Sequence, residues 1–121
     1  MTPHVVYTEN ASGLGAQESE WIMCDSWCNG PTSVQVNIYQ NPLDPPVVYT
    51  VQSTLDDPND PASPVPPYAV TWFNCHDVNM VGGTQPAQTY YASAPRYIRL
   101  LQTSGIGIAQ MTVSQNGSTP Y

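Results

Sequence analysis

Proline and glycine interrupt this chain at short intervals along its whole length. Thirteen prolines and eight glycines are distributed over 121 residues. Proline removes a backbone donor and clashes with the preceding helical turn, so few stretches here can hold a helix of average length. The remaining stretches suit short strands joined by turns, and the sequence therefore predicts an all-β fold.

In the clearest predicted strand, VQVNIY, the apolar residues Val34, Val36 and Ile38 alternate with polar ones. This period of two is typical of a strand with one buried face. The segment Asn41–Pro46 contains three prolines and is predicted to turn, because it cannot join a sheet ladder. Since Val47–Ser53 then resumes a β-rich run, we expect the two strands to form a hairpin.

Further strands are predicted from other short runs of apolar, β-branched and aromatic residues. They are Val5–Thr8, Trp21–Cys24, Val70–Phe73, Gln88–Tyr91, Tyr97–Gln102 and Ile106–Ser114. In the last of these the apolar residues change phase between Ile108 and Met111, which predicts a β-bulge. About eight short antiparallel strands with turn signals between them indicate a single β-sandwich or jelly-roll domain over residues 1–121. A short helix is the alternative at Glu18–Trp27.

A proline-rich loop is predicted at 55–68, where LDDPNDPASPVPPY contains five prolines. This density favours a semi-rigid segment with partial polyproline II structure. Such a loop is either a surface loop stiffened against proteolysis or an arm that lies on a neighbouring subunit. In the second case its candidate contact residues are Pro64, Pro66, Pro67 and Tyr68.

The charge balance excludes two classes of partner. The chain has two basic residues, Arg96 and Arg99, against nine acidic ones, and no lysine. Nucleic acid and anionic membranes are bound through clusters of basic residues, so neither is expected as a partner. No apolar run approaches the roughly 20 residues that cross a bilayer, and the first residues do not resemble a signal peptide. Synthesis and folding in a cytoplasm are the expectation.

Candidate catalytic groups are few. Only His4 and His76 are available as histidine bases, and no nucleophile elbow is present. The acidic residues Asp56, Asp57 and Asp60 lie in a proline-rich turn, where carboxylates usually cap backbone amides. They are less typical of a glycosidase pair, and a calcium loop of the EF-hand type would need a glycine and a distal glutamate that are missing. The sequence predicts no enzyme and no cofactor.

The cysteines Cys24, Cys28 and Cys75 are odd in number, which favours a reduced compartment. Together with His76 they provide enough potential ligands for a structural zinc site. However, neighbouring residues of a strand point to opposite faces, so Cys75 and His76 are not expected to reach one ion. Buried free thiols and no metal are predicted.

The aromatic residues suggest a second kind of function. Trp21, Trp27, Trp72 and eight tyrosines are available to line a sugar-binding face together with amide side chains. In a small sandwich with one phenylalanine, tryptophan and tyrosine are more typically the large residues of the core and of interfaces, so sugar binding is the second hypothesis.

Three stretches resemble small virion proteins of tailed bacteriophages and prophages. These are YTVQSTLDDP at 49–58, TWFN at 71–74 and APRYIRL at 94–100, followed by a last strand that ends at Gln115. The resemblance implies a β-sandwich subunit without catalysis that decorates or cements a capsid. The implied partners are the major capsid protein and copies of itself, as a dimer or trimer.

An exterior position on the capsid is expected on physical grounds, because a net charge of −7 is repelled by packaged DNA. The alternative function is a phage tail or host-surface module that binds glycan.

The candidate interface residues begin with the two arginines. Arg99 lies between Ile98 and Leu100 and is expected to point away from the core, across an interface, so that Arg99→Ala would weaken assembly and leave the monomer folded. Arg96 is expected to bond internally to Asp56–Asp57, so that Arg96→Ala would lower thermal stability. The remaining candidates are Tyr90, Tyr91 and Tyr121, with Pro64, Pro66, Pro67 and Tyr68 of the loop.

Overall fold

The computed structural model describes residues 4–10, 15–24, 31–55, 71–92 and 95–115. Their regular structure is almost entirely strand. The strands are β1 (His4–Asn10), β2 (Gln17–Glu18), β3 (Ile22–Met23), β4 (Thr32–Tyr39), β5 (Val48–Thr54), β6 (Phe73–Asn74), β7 (Val81–Gly83), β8 (Ala87–Tyr91), β9 (Tyr97–Ser104) and β10 (Gly107–Gln115). The only helical element among these residues is a 3-10 turn, Val78–Met80. The prediction of an all-β domain is confirmed.

The strands form two antiparallel sheets. One has four strands in the order β1-β10-β4-β8, and the other has six, in which β9 and β5 lie at the centre. Strands β2 and β3 both pair with β9, and β6 and β7 both pair with β5, so each pair is one interrupted edge strand. Counted in that way, eight strands follow the order 1-8-3-6 in one sheet and 2-7-4-5 in the other. This is the order of a jelly roll, one of the two predicted architectures.

The core lies between the sheets and follows the alternation of their strands. From the four-stranded sheet, Val34, Val36, Ala109, Met111 and Val113 point inward and are fully buried. The facing residues of the six-stranded sheet are Tyr49, Val51, Ile98 and Leu100, with Ile22 and Met80 at the sides. Burial of these side chains is the main favourable term for folding, at about 1.5–3 kcal/mol for each large one.

The predicted hairpin between the strands at 34–39 and 47–53 is wrong. Strands β4 and β5 are real, but they belong to different sheets. The prolines between them lack the backbone donors that a ladder needs, so the chain crosses from one sheet to the other. This crossing is held by a turn in which the Asp44 amide donates to the Asn41 carbonyl, and by the Val47 amide, which donates to the Gln40 side chain.

The predicted bulge in the last strand is also wrong. Strand β10 runs in unbroken register against both β1 and β4. Its inward residues are Ala109, Met111 and Val113. The bulge was predicted because Ile108 was expected to point inward, but the small Ala109 takes the inward position instead. Ile108 points outward, and the register shifts of this fold occur in β5 instead.

The alternative of a short helix at 18–27 is wrong for the described residues up to Cys24. This stretch contains β2 and β3, and the residues between the two strands run alongside β9. Between the two strands, the Ser19 amide donates to the Leu100 carbonyl, and the Ser19 hydroxyl accepts from the Leu100 amide. The described part of the chain contains no helix long and apolar enough to span a membrane.

Candidate interaction surfaces

The outer face of the four-stranded sheet is nearly free of charge. Strand alternation points one set of side chains away from the core, and we call this set the four-strand face. Its residues are Val5, Tyr7, Glu9, Ser33, Gln35, Asn37, Tyr39, Gln88, Tyr90, Ile108, Gln110, Thr112 and Ser114. Glu9 is the one residue among them that is charged at neutral pH. The rest are amides, hydroxyls, tyrosines and two aliphatic residues.

Exposed tyrosines dominate the contact area of this face. Tyr7 pairs across the sheet with Gln110, and the Tyr39 hydroxyl donates to the Gln110 side-chain oxygen over 3.1 Å. The two rings therefore flank one amide. Tyr7 is 63% exposed and Tyr39 is 55% exposed. Tyrosine offers a large contact area with little conformational entropy to lose, which suits it to binding surfaces.

A depression of about 370 Å³ lies at the other end of the four-strand face. It is lined by Pro31, Ser33, Gln88, Thr89 and Tyr90. Tyr90 is 60% exposed, in keeping with its place among the predicted interface residues.

The neighbouring Tyr91 was also predicted at the interface, but its side chain points inward. Successive strand residues face opposite sides of a sheet, so Tyr90 and Tyr91 cannot share one surface. The Tyr91 ring packs edge-on against His76, with centroids 5.2 Å apart, and its hydroxyl is buried with no hydrogen-bond partner among the described residues. Burial, and then the nearby Cys75 thiol, raise the pKa of Tyr91 above its ordinary value.

The Arg99 side chain lies on the outer face of the six-stranded sheet, whereas its neighbours Ile98 and Leu100 point into the core, as predicted. Its partners, however, belong to its own chain. The Arg99 Nε donates to Gln52 over 2.9 Å, and Nη1 donates to Glu18 over 3.0 Å. Gln52 in turn donates to Asn74, so a polar row crosses β2, β9, β5 and β6. We call it the Arg99 row.

Two tryptophans cover the Arg99 row. The guanidinium carbon of Arg99 lies 4.5 Å from the ring centre of Trp21 and 5.0 Å from that of Trp72. These are cation–π distances. Burial lowers the pKa of Arg99, and the charge of Glu18 opposes that change. The predicted bond of Arg99 across an interface stays a prediction, but Nε and Nη1 already have partners within the chain and the side chain is only 10% exposed.

Trp21 and Trp72 thus lie outside the core between the sheets. No local pattern could have revealed this arrangement, since Glu18 is 81 residues from Arg99 and Gln52 is 47 residues from it.

Arg96 has an exposed side chain. Its backbone amide donates to the Thr54 carbonyl, and its carbonyl accepts from the Cys24 amide. The predicted bond to Asp56–Asp57 lies outside the described residues. So do the candidate contact residues Pro64, Pro66, Pro67, Tyr68 and Tyr121.

Cys24 and Cys75 are buried, and neither forms a disulfide, as predicted. Cys24 lies beside β9 and Cys75 beside β5, on opposite margins of the six-stranded sheet. Three strand spacings amount to about 14 Å, well beyond disulfide range.

Cys75 and His76 are closer than strand alternation suggested, because Sγ of Cys75 and Nδ1 of His76 are 3.9 Å apart. The described residues contain no cluster of three or more potential metal ligands, and Cys28 lies outside them.

Because both described thiols are enclosed, we expect iodoacetamide to leave Cys24 and Cys75 unmodified in the native protein and to modify both after denaturation. Peptide mapping by mass spectrometry separates them from Cys28. Rapid native labelling of either residue would contradict its place in the core.

No protein-family model, curated protein or solved structure matches the chain. The fold defines it as a jelly-roll β-sandwich. The four-strand face, the Arg99 row and the sandwich edges are the features from which a function can be argued.

Proposed function

We propose that this chain is a structural protein of a bacteriophage virion, which decorates the outside of the head, binds the major capsid protein and stabilises the shell. It acts as an oligomer, a dimer or trimer, without catalysis and without nucleic acid or membrane as a partner. The motifs at 49–58, 71–74 and 94–100 suggest this class of protein.

The observation that carries the proposal is the four-strand face. Binding buries surface, and burying a charge without a partner costs several kcal/mol, whereas amides and tyrosines can pair across an interface at little cost. A broad face on which Glu9 is the one residue charged at neutral pH can therefore be desolvated easily. Many symmetric copies on a shell would add their individual contacts into a large collective stabilisation.

The exterior location follows from charge. The net charge of −7 is repelled by packaged DNA.

Capsid binding is expected to depend on Tyr39. Truncation of a central tyrosine removes contact area, so Tyr39→Ala should weaken binding at least about tenfold. Co-sedimentation with purified heads that lack the protein measures this. Leu43→Ala is the control, because Leu43 is 91% exposed in the crossing loop and lies outside the four-strand face. Equal binding by both variants would remove the four-strand face from the interface.

A second candidate function, a tail or host-surface module that binds glycan, is favoured by the depression beside Tyr90. Hydroxyl and amide groups next to an exposed ring suit a sugar. Copy number separates the two proposals. A decoration protein should be present in purified virions in numbers on the order of hundreds, and a tail component in at most a few tens.

A further inference from the structure

Among the strands that the structure describes, the edge of the four-stranded sheet at β1 is open. This strand has seven residues, pairs with β10 alone in unbroken register, and contains neither lysine nor proline. No backbone hydrogen bond from the other described elements reaches its free side. Natural edge strands are usually blunted by lysine, proline, a bulge or short length, because an open edge accepts another strand. The opposite edge, β8, is shorter and directly follows Pro86.

A groove of about 400 Å³ lies along this open edge. One wall is formed by Val5, Val6 and Tyr7 of β1, and the other by residues 18–20 at β2. Val6 points toward the core side of the sheet, whereas Val5 and Tyr7 point outward. Because the groove touches residues of both orientations, it follows the edge of the strand and is not confined to one face.

The groove is acidic. Glu18 and Glu20 line it, and Glu9 lies near the end of β1. A second copy of the chain would bring the same carboxylates to the groove and could not neutralise them, because Arg99 is buried and Arg96 lies beside Cys24, beyond β3. Charge complementarity therefore favours a different protein whose segment contains lysine or arginine.

We propose that this groove binds an extended, basic segment of a partner protein, which adds to the sheet as a strand beside β1. Backbone hydrogen bonds to β1 hold the segment, and Glu20 selects its charge, because Glu18 is already paired with Arg99. Naming the partner as the capsid protein rests on the proposed function, whereas the mode of binding does not.

Two synthetic peptides of about nine residues test the binding mode. Both alternate valine and threonine, and one has lysine at each end where the other has glutamate. In a nitrogen-15 NMR titration, the lysine peptide should shift the amide signals of β1 and slow their hydrogen exchange. It should bind at least about tenfold more tightly than the glutamate peptide. Equal affinities, or shifts confined to β8, would overturn the inference.

Matched charge reversals give a second measurement. Glu20→Lys and Asp44→Lys change the net charge equally, but Asp44 lies in the crossing loop, away from the groove. Only Glu20→Lys should weaken binding of the lysine peptide, by at least about tenfold. Equal weakening by both variants would assign the effect to net charge. A dimer that forms through β1 without peptide would make a second copy the occupant, and either result would overturn the inference.

Hydrogen exchange on capsids separates this inference from the proposed function. Capsid binding that leaves exchange in β1 unchanged would overturn the inference and leave the proposed function standing. Peptide binding at β1 by a protein that does not bind capsids would support the inference and refute the proposed function.

Discussion

Replacing Arg99 with alanine is expected to lower the free energy of unfolding by about 3 kcal/mol and the melting temperature by about 10 °C. The substitution leaves the Gln52 side chain, which is buried, without its donor and removes the charge that Glu18 pairs with. It also removes the cation that Trp21 and Trp72 cover. Urea unfolding followed by tryptophan fluorescence measures the loss. The sequence-based expectation differs, because it left the monomer folded and placed the loss in assembly.

Three variants identify the cause of the loss. Arg99→Lys keeps the positive charge but not the planar guanidinium group, so it should lower the free energy of unfolding by about half as much as Arg99→Ala. Glu18→Gln should cost at most about 1 kcal/mol, because the Glu18 side chain is 59% exposed. Arg96→Ala makes the same change at an exposed site and should also cost no more than about 1 kcal/mol. Similar losses for Arg99→Ala and Arg96→Ala would contradict the structural role of the Arg99 row.

The Arg99 row also bears on what the surface can bind. An arginine that is held by an amide, a carboxylate and two rings is not available to a partner without losing those contacts. Arg96 is then the exposed arginine among the described residues. Apart from Arg96, the described surface therefore offers a partner neutral or acidic groups. This agrees with an uncharged interface on the four-stranded sheet and with a basic partner segment at the β1 edge.

Sequence predicted the fold best where alternation was sustained. In β4, β-branched residues recur at every second position, and in β9 Ile98 and Leu100 do the same over a shorter stretch; both strands lie close to where they were expected. The interrupted edge strands have two or three residues in each part, too few to show a period, so β2 and β7 were missed. The hairpin was wrong because alternation shows which face of a strand is buried and says nothing about which strand lies beside it.

The candidate sites were harder to predict for the same reason. Burial of the two described cysteines follows from their chemistry. The partners of Arg99 depend on pairing between strands far apart in sequence, which a local pattern does not contain. The Tyr7, Gln110 and Tyr39 cluster likewise needs the register of β1, β10 and β4. A sequence signal for the four-strand face did exist, since the outward positions of these strands are almost all uncharged.

The turn between β9 and β10 packs against the backbone of the crossing loop. The Ile106 amide donates to the Pro45 carbonyl, and Gly105 adopts a positive φ of 92°. A Cβ atom at Gly105 would lie 2.1 Å from the Pro46 carbonyl oxygen. This atom belongs to the backbone and cannot move aside as a side chain would. The Gln102 side chain, fully buried, also donates to the Gly105 carbonyl, so movement of the turn would disturb the interior.

Gly105→Ala is therefore expected to lower the free energy of unfolding by about 4 kcal/mol or more, a large fraction of the stability of a small domain. Gly82→Ala is the matched control, because Gly82 also has a positive φ, of 65°, but a Cβ there meets nothing within 4 Å. Its cost should be the backbone strain alone, about 1 kcal/mol. Urea midpoints measure both variants, and the soluble yield at matched expression compares them if Gly105→Ala does not fold. Equal midpoints would mean that the crossing loop moves freely away from the turn, and the contact between them would then contribute little to holding the two sheets together.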